Sequence, residues 1–260
     1  MNPAAPLPSH QEFELRLNAL SRDARVAARF TYTWEAIKFS ASQRPQLIAR
    51  LNKFAGFWNT VLGALQTSAI VALGRMYDTR NDVLSAQKLL DYATVNRGLF
   101  SAGSLRARVA TRLIAPTDVD AYMKDFQPPT QAQFDALAAA LAEHTALYEK
   151  KIRPIRHKVF AHAGHITQEE LHAMFAAVPV ADFERLTVFP LLLHDALWET
   201  YTNGFNLVLI DTPTAIAELM AMPLGRGAVG KEHQYAVWDT TNFLESLAPT
   251  NGEESGRRTQ

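Results

Sequence analysis

The chain of 260 residues contains no cysteine. That single absence excludes disulfides, thiol nucleophiles and cysteine-ligated zinc. Net charge is missing too, since 26 Lys and Arg balance 26 Asp and Glu. No overall basic field marks a nucleic-acid binder, so any such role must come from a local cluster. There are only 12 glycines, and long alternating runs of Val, Ile and Thr are lacking, which leaves little strand signal. The first ten residues hold neither a basic nor an apolar region, so no signal peptide is expected. One apolar run, 54–74, has no charged residue but includes Asn59, Thr60, Gln66, Thr67 and Ser68. It reads as a buried core helix rather than a membrane span. The expectation is a soluble, cytoplasmic protein.

What the chain does contain favours helix. There are 40 alanines and 30 leucines, both strong helix formers. Hydrophobic residues make up 48% and charged residues 20%, a balance that excludes disorder and predicts a packed core. Ser9-His-Gln-Glu12 has the form of a capping box opening the first helix. Arg44-Pro45 marks a restart, and the next helix is expected to end near Tyr77-Asp78. A turn over 78–82 follows, and Ser85 can cap a helix to about Asn96. A short basic helix is predicted over 104–113. Thr130 is placed to cap the clearest helix, whose apolar stripe is Phe134, Leu137, Ala138, Leu141, Tyr148 and Ile152. Pro154 predicts a kink or restart. Thr167-Gln-Glu-Glu170 is a second capping box, and a nearly all-apolar helix is predicted over 187–210. The fold class is therefore all-α, with about seven to nine helices around a four-helix core. Residues 9–247 read as one domain, between a flexible N-terminus (1–8) and a mobile polar tail (248–260).

The densest chemistry lies in Glu149-Lys-Lys-Ile-Arg-Pro-Ile-Arg-His-Lys-Val-Phe-Ala-His162. Lys150, Lys151, Arg153, Arg156 and Lys158 fall within nine residues, beside His157 and His162. Cations near a helix end suit its dipole without any further role. Here, however, the helix fault at Pro154 adjoins the charges, and the histidines titrate near neutral pH. Arg156 and His162 are six positions apart, about 240° around an ideal helix. They converge only if the helix is distorted or ends between them, or if a second chain completes the site.

Arg156-His-Lys-Val-Phe-Ala-His162 resembles the Arg-x(4–6)-His signature of the HEPN (higher eukaryote and prokaryote nucleotide-binding) superfamily. Phe57-Trp58, and Leu73-Gly-Arg-Met-Tyr-Asp78 leading to Leu84-Ser85 and Leu89-Leu90, resemble its abortive-infection AbiU-like branch. The resemblance runs over about residues 10–210. It implies a helical bundle that often forms a homodimer, bringing two motif copies together. For active members it implies a metal-independent endoribonuclease, acting in phage defence or as a toxin with an antitoxin partner. The catalytic candidates are then Arg156, His162 and His157. Lys150, Lys151, Arg153 and Lys158 are candidates for holding RNA phosphates. Asp78 and Asp195 are supporting candidates, and the partner is RNA, with no membrane. No cofactor is implied. Gly164 stands where some members carry a tyrosine that a nucleotidyltransferase modifies. Other members are non-catalytic, so a helical scaffold that binds RNA, nucleotide or a protein partner is the alternative reading.

Other constellations are weaker. His157, His162 and His165 lack clean ligand spacing, and Glu169-Glu-Leu-His172 is a single Glu-x-x-His pair where a di-iron bundle needs two. No metal site is expected. His194, Trp198, Tyr201, Phe205 and Val208 read as a core or dimer stripe, with the surface around Trp198 and Tyr201 offered for burial. Asp195 on the same helix is expected to meet a cation or to cap a backbone group. The glycines of 225–230 follow no strand and make no phosphate loop.

Overall fold

The computed structural model describes residues 9–80, 84–111, 116–124, 126–161, 167–222 and 231–247. Its described residues form an all-α chain without strands. The helices are α1 (Ser9–Gln43), α2 (Pro45–Asn52), α3 (Ala55–Tyr77), α4 (Ala86–Val95), α5 (Ala102–Ala110), α6 (Pro116–Tyr122), α7 (Gln131–Lys151), α8 (Arg153–Ile155), α9 (Gln168–Ala176), α10 (Val180–Asn203), α11 (Ile216–Ala221) and α12 (Glu232–Ser246). That exceeds the seven to nine helices expected, because short elements such as α8 and α11 carry no amphipathic period of their own.

The chain divides into two compact units. The first comprises residues 1–24 and 71–212. In it α7 packs against α4 and α10. Phe13, Leu17 and Leu20 of α1, Leu73, Met76 and Tyr77 of α3, and Leu89 and Leu90 of α4 are buried. They share this core with Phe134, Leu137, Leu141 and Tyr148 of α7 and with Leu186, Phe189, Leu193, Leu197 and Tyr201 of α10. Phe13 meets Phe100 edge-on with ring centroids 5.4 Å apart. Thr130 caps α7 with Gln133 as its reciprocal partner, and Thr167 caps α9 with Glu170, as the two sequence patterns predict. Ser85 sits at the N-cap of α4 but makes no capping bond. The cap of α5 is Ser101, whose hydroxyl accepts from Ser104 N at 3.3 Å. That helix therefore starts two residues earlier than predicted.

α10 differs most from expectation. It begins at Val180 and stops at Asn203, although the apolar run continues through Phe205 to Ile210. Gly204 takes φ +72° and closes the helix in the left-handed region. Its missing Cβ also admits neighbours, since one placed there would lie 2.5 Å from Leu105 Cδ2 and 2.7 Å from Phe126 Cδ2. Phe205 and Val208 thus lie beyond the helix and are exposed, while Tyr201 is 1% exposed. The Tyr201 hydroxyl donates to Glu14 Oε1 at 2.8 Å, and its ring carries the Arg108 guanidinium at 3.9 Å. Of the surface expected around Trp198 and Tyr201, only Trp198 is exposed.

The second unit comprises residues 25–70 and 213–260. Tyr32 donates to Thr214 O at 2.7 Å and packs against the buried His233. Ile37, Leu47 and Leu244 form a second cluster, flanked by Trp58, Leu62 and Leu65. By length and composition α3 is long and apolar enough to cross a membrane. The core-helix expectation holds for its last third, where Ala69, Ile70, Ala72, Leu73, Met76 and Tyr77 are buried. Its first turns are exposed, with Phe57 at 62%.

Gly204 yields a stability prediction. Gly204→Ala forces an L residue to positive φ and into the space held by Leu105 and Phe126. Urea denaturation is expected to show a loss of about 1–3 kcal/mol, and an unchanged midpoint would contradict this account.

Candidate functional site

α7 ends at Lys151, Ile152 turns the chain, and α8 restarts with Pro154 in its first turn. Proline fits there because first-turn N–H groups have no intrahelical acceptor. The restart expected from Pro154 is thus present. From Arg156 to Ala161 the backbone then widens into a π-helix, a rare form that is frequent at functional sites. The distortion begins on the motif arginine. His162 and His165 lie outside the described residues.

The Arg156 side chain crosses α3 at Gly74. A Cβ at position 74 would lie 2.5 Å from Arg156 Nε, 2.6 Å from Cδ and 2.9 Å from Cζ. Only glycine leaves this passage open without displacing the arginine. One turn further along α3, Asp78 follows the last helical residue. Its Oδ1 accepts from Arg80 N at 3.0 Å, and its carboxylate accepts from Arg80 Nε at 3.0 and 3.1 Å. Arg80 Nη2 is 2.8 Å from Oδ2, whereas Arg156 Nη1 is 3.7 Å away. The second distance is attractive but beyond hydrogen-bond reach. Burial alone pushes the Asp78 carboxyl up. The hydrogen bonds and charge of Arg80, together with the charge of Arg156, outweigh it and leave the pKa below its ordinary value.

Tyr148 of α7 is 2% exposed and stacks on Tyr77, with centroids 5.3 Å apart and planes 17° from parallel. The Tyr77 hydroxyl donates to Leu186 O at 2.9 Å. The Tyr148 hydroxyl is buried beside Arg156, which acts on its oxygen as a donor, and among the described residues nothing accepts its hydrogen. Burial raises the pKa of both phenols, and for Tyr148 the neighbouring Arg156 opposes the rise.

These groups enclose a cavity of about 290 Å³. Asp78, Thr79 and Arg80 line it together with Tyr148, Glu149, Arg153, Arg156 and His157. Four of the residues singled out from sequence are therefore brought together: Arg156, His157, Arg153 and Asp78. Arg153 is ion-paired to Glu149, and its Nε lies 3.5 Å from His157 Nε2. Lys150 and Lys158 are exposed and do not line the cavity. Nor does Lys151, whose ammonium donates to Ala177 O at 3.0 Å. Asp195 stands apart on α10, bonded to His194 Nδ1 at 3.0 Å. Within the turn expected over 78–82, Asp78 also makes a local bond by accepting from Arg80 N. Among the described residues, no three His, Asp or Glu side chains gather where a metal could be held.

The chain matches the AbiU2 family model of the HEPN domains over residues 10–215. It belongs to that family. No curated protein and no solved structure matches it.

Within this HEPN chain, sequence reasoning passed over Gly74, Arg80, Tyr148 and Glu149. Two signals were present: a glycine inside an otherwise apolar helix, and an arginine two residues after an aspartate at a helix end. Tyr148 carried no such signal, because its position fits the apolar stripe of α7.

Two predictions follow from this geometry. Alanine is favoured over glycine in a helix interior by about 1 kcal/mol, so Gly74→Ala holds or raises the melting temperature while displacing Arg156. The Arg156 Nε–H resonance is expected to move, and an unmoved resonance would remove the contact. The second concerns pH. A carboxylate with a depressed folded pKa contributes stability in full above its unfolded value of about 3.9, and loses it as pH falls through the lower folded value. The Asp78 carboxyl carbon should titrate below the ordinary aspartate range, and Arg80→Ala should return it upward. A normal midpoint in the unmodified protein would dismiss the Arg80 contact.

Proposed function

We propose that this HEPN protein is a metal-independent endoribonuclease acting in the cytoplasm in phage defence or as a toxin. One observation carries the reading. The motif arginine projects into a 290 Å³ cavity while its carboxylate neighbour, 3.7 Å away, is held by another arginine. A guanidinium so placed can fork onto a phosphate and stabilise charge developing there. RNA brings its own nucleophile, the 2′-hydroxyl. A neutral imidazole takes the 2′-hydroxyl proton as the 2′-oxygen bonds to phosphorus. The bond from phosphorus to the 5′-oxygen breaks, and a protonated imidazole gives that oxygen a proton. The products are a 2′,3′-cyclic phosphate and a 5′-hydroxyl. We assign the base to His162 and an auxiliary place to His157. The second imidazole comes from the motif of another copy in a homodimer. Arg153, Lys150, Lys151 and Lys158 guide the RNA backbone.

A second reading has its own support. Arg153, Arg80 and Lys151 already hold partners within the chain, as a scaffold that binds RNA, nucleotide or a protein partner without cleaving would allow. Incubating the pure protein with mixed RNA, with and without EDTA, separates the two. Cleavage with chelator present is expected. Arg156→Ala and His162→Ala should each lower it by about 100-fold or more with the helical circular dichroism retained, and His157→Ala should weaken it less. Cleavage that survives in both variants, or that EDTA removes, overturns the assignment. Binding without cleavage selects the scaffold reading. A sedimenting monomer at micromolar concentration overturns the dimer.

A further inference from the structure

We propose that the Tyr148 hydroxyl is a second, uncharged donor to the RNA phosphate held by Arg156, an inference that rests on the RNA reading above. Tyr148 is 2% exposed and lines the Arg156 cavity, and among the described residues no acceptor lies within reach of its hydroxyl hydrogen. Arg156, Glu149 and Asp78 bear on this hydroxyl by charge, and Arg156 also acts on its oxygen as a hydrogen-bond donor. Arginine has five donors and no acceptor, so it cannot take the phenolic hydrogen. Glu149 is turned to Arg153 and Asp78 to Arg80.

Native interiors rarely keep a buried hydroxyl without a partner, because its lost hydration is then uncompensated. Packing does not require this one. The contact with Tyr77 is ring on ring, and phenylalanine would make it equally well. The hydroxyl hydrogen therefore lacks an acceptor beside a guanidinium whose own ion pair is 3.7 Å long. A group that satisfies both donors at once is an anion with several oxygens. The two non-bridging oxygens of a phosphodiester meet that need, one on Arg156 and one on Tyr148. Burial, which raises the phenol pKa, keeps the hydrogen in place at neutral pH.

The test separates this role from a structural one by reading affinity, salt dependence and stability together. Wild type, Tyr148→Phe and Arg156→Ala are titrated against a fluorescein-labelled 2′-O-methyl RNA, which binds but cannot be cleaved. Salt is varied from about 50 to about 200 mM. Tyr148→Phe is expected to weaken binding about ten-fold with the slope of log affinity against log salt unchanged, because no charge is removed. Its melting temperature should hold, since the deleted hydroxyl gave its hydrogen to no acceptor inside the chain. Arg156→Ala should weaken binding and flatten that slope by about one. If Tyr148→Phe binds as wild type does while Arg156→Ala does not, this inference alone is overturned. If affinity and melting temperature fall together in Tyr148→Phe, the hydroxyl hydrogen has an acceptor inside the chain and the inference is again overturned. If wild type binds no more tightly than Arg156→Ala, the RNA reading fails and takes this inference with it.

Discussion

The cavity depends on the passage of Arg156 over α3 at Gly74. With Cβ distances of 2.5–2.9 Å to the guanidinium end of the side chain, any larger residue at position 74 would move the arginine. The other half of the constraint is the fault between α7 and the π-helical segment. Ile152 releases the end of α7, Pro154 sets the first turn of α8, and the backbone widens from Arg156 onward. Helix kinks have identifiable causes. Here the cause is a proline two residues before the motif arginine.

Around that arginine, acidic side chains sort the cations. Glu149 holds Arg153, Asp78 holds Arg80, and the carbonyl of Ala177 holds Lys151. Exposed ion pairs of this kind contribute little to stability, so their consequence is one of orientation. Arg80 contacts Asp78 at 2.8–3.1 Å, whereas Arg156 stands at 3.7 Å. Had Asp78 faced Arg156 alone, the carboxylate would compete with any phosphate for the same fork. With Arg80 on Asp78, that competition is weakened at the one arginine that belongs to the family motif.

Much of the scaffold was legible before any coordinates. Alanine and leucine content specified the class, Thr130 as a cap and Thr167 with Glu170 as a capping box marked two helix starts, and Pro154 marked the fault. The end of α10 was misread because apolar residues continue through Ile210, and hydrophobicity carries no stop signal. The stop was Gly204, whose positive φ is a backbone property. The exposure of the first turns of α3 was hidden for a related reason, since composition does not say which apolar face finds a neighbour. At the site, the basic run was visible as a run. Its division into engaged and available cations was not, because the deciding groups come from elsewhere in the chain: Asp78 with Arg80, and Ala177. Tyr148 was read correctly as a buried ring. That its hydroxyl lacks an acceptor is a fact of three dimensions.

Gly74 and Tyr148 each break a local rule. A glycine inside a helix is destabilising by about 0.5–1 kcal/mol relative to alanine, and a buried hydroxyl whose hydrogen finds no acceptor among the described residues is also costly. Either feature by itself is an ordinary imperfection. Both, however, touch the same side chain. One makes room for Arg156, and the other lies beside it in the same cavity, with the π-helical distortion starting on that very residue. Sequences generally agree with their fold at every level, and departures concentrate where something other than stability has been selected. Three independent departures, from three separate stretches of chain, converge on one guanidinium. Stability arguments would remove each of them with a single substitution: alanine at 74, phenylalanine at 148, a regular α-turn after Ile155. The proposed phosphate on Arg156 would give all three a common reason, because it needs the arginine where it is.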